Sequence, residues 1–174
     1  MRQSAMIRRL TVAAMFMALN IILSLSILSI PVPGGHLYLN DIIICTAALL
    51  LDPFSAFAVG GVGSFIGDML FYPAPMFVSL ATHGLQAVAI SLCSRHLFKK
   101  HPLAGAIVGL LLGAVIMVTG YTLGRAYVYA TPEYAIVKLP YEILQAALGV
   151  VAGPILCFGC DLRGKLSRIL MQEN

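Results

Sequence analysis

Between Leu10 and Cys160 the chain carries six apolar stretches, separated by proline, glycine or basic residues. A backbone that crosses hydrocarbon must satisfy its own hydrogen bonds, and a helix does so in about 20 residues, since the apolar layer is about 30 Å thick and each residue rises about 1.5 Å. The stretches predicted as spans are 10–30, 39–51, 56–71, 76–97, 103–129 and 135–160. Pro31, Pro33, Gly34 and Gly35 punctuate the first, Asp52-Pro53 the short second, and Tyr72-Pro-Ala-Pro75 the third. Pro140 falls near the start of the sixth, where a first helical turn tolerates it. Only 10% of residues are charged and 60% are hydrophobic, whereas a soluble domain carries about 25% charge. That excludes a soluble enzyme, a disordered chain and a nucleic-acid binder. The expected fold class is an all-α membrane protein, a single domain over 1–174 built as a six-transmembrane-helix bundle. The first apolar stretch is longer than a signal-peptide core of about 7–15 residues, so it reads as a span.

Charge placement predicts the orientation. Arg2, Arg8 and Arg9 precede the first stretch; Arg95, Lys99 and Lys100 follow the fourth; Arg163, Lys165 and Arg168 follow the sixth. Six spans put all three groups on one side, which the positive-inside rule makes cytoplasmic, with both termini there. Merging the second and third stretches would move the Arg95 group outside, which argues for keeping both. The net charge of +4 therefore reads as membrane orientation. The expected location is the cytoplasmic membrane, multi-pass.

Lipid offers no hydrophobic drive between helices, so small residues must let backbones approach. Gly63 and Gly67, then Gly105, Gly109, Gly113, Gly120 and Gly124, then Gly149 and Gly153 are expected to pack helices within the chain. Ala14 and Ala18 form a similar flat patch in the first stretch, and either an internal neighbour or another protein fits it.

Ionisable groups in a membrane cost about 2.5–3.5 kcal/mol each at mid-depth and need a partner or a wet cavity. Here they gather at one depth. Asp68 lies near the outer end of the third span. His83 and Gln86 share a face of the fourth, Tyr121 and Arg125 a face of the fifth, and Lys138, Glu142 and Gln145 a face of the sixth. The first outer loop adds Gly34, Gly35, His36, Tyr38, Asn40 and Asp41. Singly, each has a plain explanation. Lys138 can snorkel outward; Glu142 can pair with Lys138 or Arg125; His83 can be a core histidine; Tyr72, Tyr129 and Tyr134 can form an interfacial belt. Together they are explained more simply by a ligand pocket open to the outside. Its mixed charges suit a neutral or zwitterionic small molecule, and its tyrosines can stack on a flat heterocycle.

Phosphate-loop and nucleophile-elbow motifs are absent from the sequence. Cys157-Phe-Gly-Cys160 has no second pair to complete a zinc site, and small-residue packing is the better reading. A captured solute would then need energy from another protein, and that protein a docking face such as Ala14 and Ala18.

The whole chain resembles the S component, the substrate-binding membrane subunit, of energy-coupling factor (ECF) vitamin transporters. The resemblance rests on Ala14-x-x-x-Ala18, the stretch from Gly34 to Asp41, Leu50-Leu-Asp-Pro-Phe54, Gly60-Gly-Val-Gly63 through Gly67-Asp68, Tyr72-Pro-Ala-Pro75 and His83-Gly-Leu-Gln86. It implies a subunit that binds a riboflavin-, hydroxymethylpyrimidine- or pyridoxine-like solute outside. It further implies a transmembrane coupling subunit and two cytoplasmic ATPases, and toppling in the membrane to release the solute inside. The resemblance makes Ala14 and Ala18 part of the docking face and the first outer loop a lid. It leaves this chain without catalysis, cofactor or metal, with ATP used by the partners. Two other readings remain open on the residues alone: an intramembrane enzyme acting on lipid or peptide through His83 with Asp68 or Glu142, and a non-binding membrane assembly subunit.

Overall fold

The structure, a computed structural model, describes residues 2–25, 28–98 and 100–171. Lys99, one of the basic residues used for orientation, lies outside the described residues.

The helices follow the apolar stretches, with three departures. Helix α1 covers Arg2–Leu23, so the stretch 10–30 is not one helix. At its end the last turn tightens: Ser24 N–H is shared between Asn20 O and Ile21 O at 3.1 Å each, and Leu25 N donates to Ile22 O. Hydropathy does not register this end, because the sequence stays largely apolar to Ile30. The second departure follows: Ile30–Val32 (β1) pairs antiparallel with Gly35–Leu37 (β2), with Ile30 opposite Leu37. Gly34 and Gly35 turn this hairpin at φ +80° and +138°, values that exclude most side chains. The third departure is α7, Leu162–Met171, an extra helix beyond the last apolar stretch.

Between these lie α2 (Asn40–Leu50), α3 (Pro53–Phe71), α4 (Met76–His96), α5 (Pro102–Tyr129) and α6 (Pro132–Gly159). The last three of these helical runs and α3 start at or near the expected positions; α3, α5 and α6 begin with a proline in the first turn. Asp52 caps α3, accepting from Ser55 N at 3.0 Å and Ser55 Oγ at 2.9 Å. Arg95 closes the other side of that corner, donating from Nε to Leu51 O and from Nη2 to Leu50 O. Among the described residues, α1, α3, α4, α5 and α6 are long and apolar enough to cross a membrane. The apolar α2 has 11 residues, and at 1.5 Å each it is only about half the hydrocarbon thickness.

Helix α2 nonetheless sits at the centre. Ile44, Cys45, Ala48 and Leu49 pack with Ala87 and Ile90 of α4, Ala106 and Leu110 of α5, and Cys157 of α6. The α5 glycines form a ridge against α4: a Cβ on Gly109 would meet Ile90 O at 3.0 Å, and one on Gly120 would meet Thr82 Oγ1 at 2.6 Å. Such close approach replaces the missing hydrophobic drive with dispersion contacts. Helix α1 touches this core through Ala13 against Ala47, Leu51 and Val59. Only 11% of its apolar window is buried, against 33–50% for the other long helices. The outcome is an all-α membrane protein with a small hairpin closing one end of the bundle. Helices α1 and α7 come together at the opposite end, where Arg9, Arg95 and Arg163 border one cavity.

Candidate ligand-binding site

The hairpin covers a cavity of about 280 Å³, at the lower edge of the size range of small-molecule sites. Its roof is Gly34, Gly35, His36 and Tyr38. Asn40 of α2 and Asp68 of α3 contribute one wall, His83 of α4 and Tyr121 of α5 the floor, and Arg125, Lys138, Glu142 and Gln145 the far side. The pocket residues named from the sequence therefore line this one space, except Asp41 and Gln86. Gln86 stands behind His83 and is 1% exposed.

Gln86 belongs to a buried polar chain that orients the wall. Tyr38 N donates to Gln145 Oε1 at 3.0 Å, and Gln145 Nε2 donates to Asp41 Oδ2 at 2.6 Å. Asp41 Oδ1 accepts from Gln86 Nε2 at 2.8 Å, leaving Gln86 Oε1 to face His83 Nδ1 at 2.7 Å. A carbonyl oxygen only accepts, so Nδ1 of His83 carries the hydrogen of this contact. Asp41 is fully buried, and it sits in the first turn of α2, where the helix dipole favours its negative charge. His83 packs edge-on to Tyr121 with centroids 5.1 Å apart. Ser79 then bridges Tyr121 Oη, at 2.5 Å, and the Asp68 carboxylate, to which its hydroxyl donates.

The two cations hold the roof. Arg125 donates to Glu142 Oε1 from Nη2 at 3.2 Å and from Nε at 3.4 Å, and its Nη1 reaches Gly34 O at 3.0 Å. Lys138 Nζ donates to His36 O. Lys138 is only 3% exposed, so the snorkelling alternative is not what the structure holds, and Glu142 pairs across helices with Arg125. Arg125 opens a π-helical turn, Arg125–Tyr129, a local widening common at functional sites. Above the membrane-spanning helices, burial first and the Asp68 carboxylate second push the Tyr38 phenol up to about 12, so it stays a neutral donor.

Two atoms on this cavity lack partners within the protein: Asn40 Oδ1 and Tyr129 Oη are buried with no hydrogen bond. Buried polar groups are nearly always satisfied, and Asn20 Oδ1, away from the cavity, is a third such atom among the described residues. Arg125 and Lys138 are balanced by Asp68 and Glu142, which suits an uncharged guest.

Phe71, Pro75 and Met117 also line the cavity and were not singled out from the sequence. Phe71 follows Asp68 by three residues and Met117 precedes Tyr121 by four, so helical phase carried the signal. Tyr72 and Tyr129, expected in an interfacial belt, stand in the cavity wall instead. Ala14 and Ala18 are both exposed on α1, far from this site in the chain's layout and beside exposed Met15 and Leu19.

The chain matches the family described as ECF-type riboflavin transporter, S component, over residues 4–160. A protein of Pyrococcus woesei described as "Uncharacterized protein in gap 3'region" is 32% identical over 143 residues, 81% of this chain and 93% of the relative. A family match over nearly the whole chain, on a multi-pass helical fold with an enclosed site, places the protein. It belongs to the S components of ECF-type transporters: a membrane subunit that captures a vitamin-like solute in association with coupling and ATPase components, and not an enzyme.

Proposed function

We propose that the solute is riboflavin, held beneath the hairpin by the residues that line the 280 Å³ cavity. The observation that carries this reading is the charge-balanced, aromatic-walled space, two of whose lining residues, Asn40 and Tyr129, each hold an unpartnered polar atom, Oδ1 and Oη. Riboflavin is neutral and flat, and carries an imide N–H, ring acceptors and a polyhydroxyl chain. The N–H suits Asn40 Oδ1, the ring acceptors suit donors such as Tyr129 Oη, and the rings suit Tyr121 and His83. The substrate named in the family's description supports the same choice. Hydroxymethylpyrimidine- and pyridoxine-like solutes offer less ring area and fewer donors.

In this reading the whole chain is one domain of six spans, α1 to α6, in the cell membrane with both termini cytoplasmic. The basic residues that converge at the terminal end support that orientation. The hairpin is the outward lid. A solute gains access when Gly34 O and His36 O leave Arg125 and Lys138, and it then competes for the same cations. Helix α1, the least buried of the long helices, docks the transmembrane coupling subunit through Ala14 and Ala18, and two ATPases supply the energy.

The test is a titration of detergent-purified chain into riboflavin. Flavin absorbs visible light that protein side chains do not, so quenching of flavin fluorescence reads binding directly. Saturation at one riboflavin per chain, resisted by neither hydroxymethylpyrimidine nor pyridoxine in excess, is expected. Absence of saturable quenching, or displacement by either smaller ring at equal concentration, refutes the assignment.

A further inference from the structure

At the terminal end, on the face opposite the hairpin, Arg9 of α1, Arg95 of α4 and Arg163 of α7 line a second cavity, of about 360 Å³. The three come from distant parts of the chain, so the fold, and no local charge run, brings them together. All three are exposed, so water screens their mutual repulsion, and they make the mouth of this cavity positive. The carboxylate in this wall is Asp52. Both of its oxygens are already engaged by Ser55. Three guanidinium charges thus face one carboxylate, unlike the hairpin cavity, where cations and acids balance. Among the described residues, none of the three arginines forms an ion pair.

The cluster is also partly preorganised. Arg95 is fixed by its bonds to Leu50 O and Leu51 O. Arg163 lies over the Phe158 ring at 5.7 Å. A guanidinium fork matches phosphate oxygens in pairs, and a fixed fork loses less entropy on binding than a free one. Leu49, Leu51 and Leu166 give the cavity an apolar floor. Leu166 also lines a neighbouring, almost wholly apolar groove with Val12, Met15, Phe16, Leu19 and Leu162. A phosphate site at the mouth of an apolar groove has the two-part chemistry of an anionic phospholipid.

We propose that the Arg9–Arg95–Arg163 pocket binds a phosphate-bearing anion, with an anionic phospholipid headgroup as the source that the adjoining groove favours. The site stands independently of the solute reading, since it shares no residue with the hairpin cavity.

The test measures binding of three probes to the detergent-purified chain by thermophoresis: dioctanoyl phosphatidylglycerol, dioctanoyl phosphatidylcholine and inorganic phosphate. Phosphatidylglycerol is expected to bind saturably, and the R9Q/R163Q pair to weaken it at least tenfold. The K165Q/R168Q pair removes the same charge outside the pocket and is expected to leave affinity within twofold. Phosphatidylglycerol binding tighter than inorganic phosphate assigns the site to lipid; equal affinity assigns it to soluble phosphate. No saturable binding of either overturns the proposal, as does an equal loss in both variant pairs or phosphatidylcholine binding as well as phosphatidylglycerol. Should R9Q/R163Q not fold, photoactivatable phosphatidylglycerol on the wild-type chain decides instead. Crosslinks to peptides holding Arg9, Arg95 or Arg163 support the site, and crosslinks only elsewhere refute it.

Discussion

Replacing Asn40 by Leu separates binding from folding with opposite signs. In the structure Asn40 contributes little to the fold: Nδ2 reaches Ser24 Oγ at 3.5 Å, the limit of a hydrogen bond, and Oδ1 has no partner. Ser24 keeps its own bond to Asn20 O without Asn40. The side chain does not cap α2 either, since the residue ahead of the helix, Leu39, makes no side-chain cap. Removing an unsatisfied buried acceptor at 4% exposure should therefore leave the empty protein as stable as before, or stabilise it by up to about 1 kcal/mol. Binding behaves differently. A ligand N–H that met Oδ1 would face a methyl group and stay unpaired, at about 1–3 kcal/mol. At 1.4 kcal/mol per tenfold, that is a loss of about 5- to 150-fold in affinity. Flavin-fluorescence titration gives the affinity and a thermal melt of ligand-free protein the stability. A variant that binds as well as wild type refutes the role of Asn40. One that melts several degrees lower shows a structural role instead.

Other changes test the roof, the docking face and the α2–α3 corner. Glu142→Gln breaks a pair in which Glu142 is 2% exposed, leaving a partly buried guanidinium with Gly34 O. The melting midpoint should fall, by an amount equivalent to about 3 kcal/mol, and riboflavin affinity at least tenfold; an unchanged melt would mean the pair is not formed. Gly34→Ala sets a Cβ 3.1 Å from Lys138 Cβ at φ +80° and should cost the hairpin about 1–2 kcal/mol, seen as faster hydrogen exchange at 30–37 and a faster riboflavin off-rate. Ala14→Trp should spare riboflavin binding and abolish uptake with the partner subunits; surviving uptake removes Ala14 from the docking face. Burial raises the Asp52 pKa, but the two Ser55 bonds and the Arg95 and Arg9 fields outweigh it and hold the carboxyl below its usual 3.8. A depressed carboxyl stabilises above its unfolded value and loses that as pH falls through its folded one. Wild type should therefore lose stability below about pH 3.8, with Asp52→Asn showing a shallower fall over the same range.

Long apolar runs made the helices legible. Each is continuous enough that backbone satisfaction in lipid leaves only the helix, and proline or glycine marks most ends. The end of α1 was not legible because the sequence stays largely apolar to Ile30, past the tightened turn at Ser24. The hairpin was hidden for a different reason: Pro31, Pro33, Gly34 and Gly35 read as the end of a span, and only the pairing of Ile30–Val32 with Gly35–Leu37 shows a strand pair there. The site was legible as a depth. Ionisable residues at helical spacing on three spans had to share one wet space or be paired, and the structure does both, pairing Arg125 with Glu142 on the cavity wall. What the sequence did not separate was wall from support. His83 and Gln86 share a face, yet only the three-dimensional path through Asp41 shows that Gln86 orients His83 from behind. Phe71 and Met117 were hidden because an apolar residue in a span carries no signal except its helical phase.

The account stands on the space beneath the hairpin being the seat of the solute, and a structure of the chain saturated with riboflavin tests that most directly. The account predicts the ring system enclosed between Asn40, His83, Tyr121 and Arg125, with a ligand N–H within hydrogen-bonding distance of Asn40 Oδ1. Riboflavin resolved at any other place, with this cavity unchanged and still empty at saturation, would contradict it.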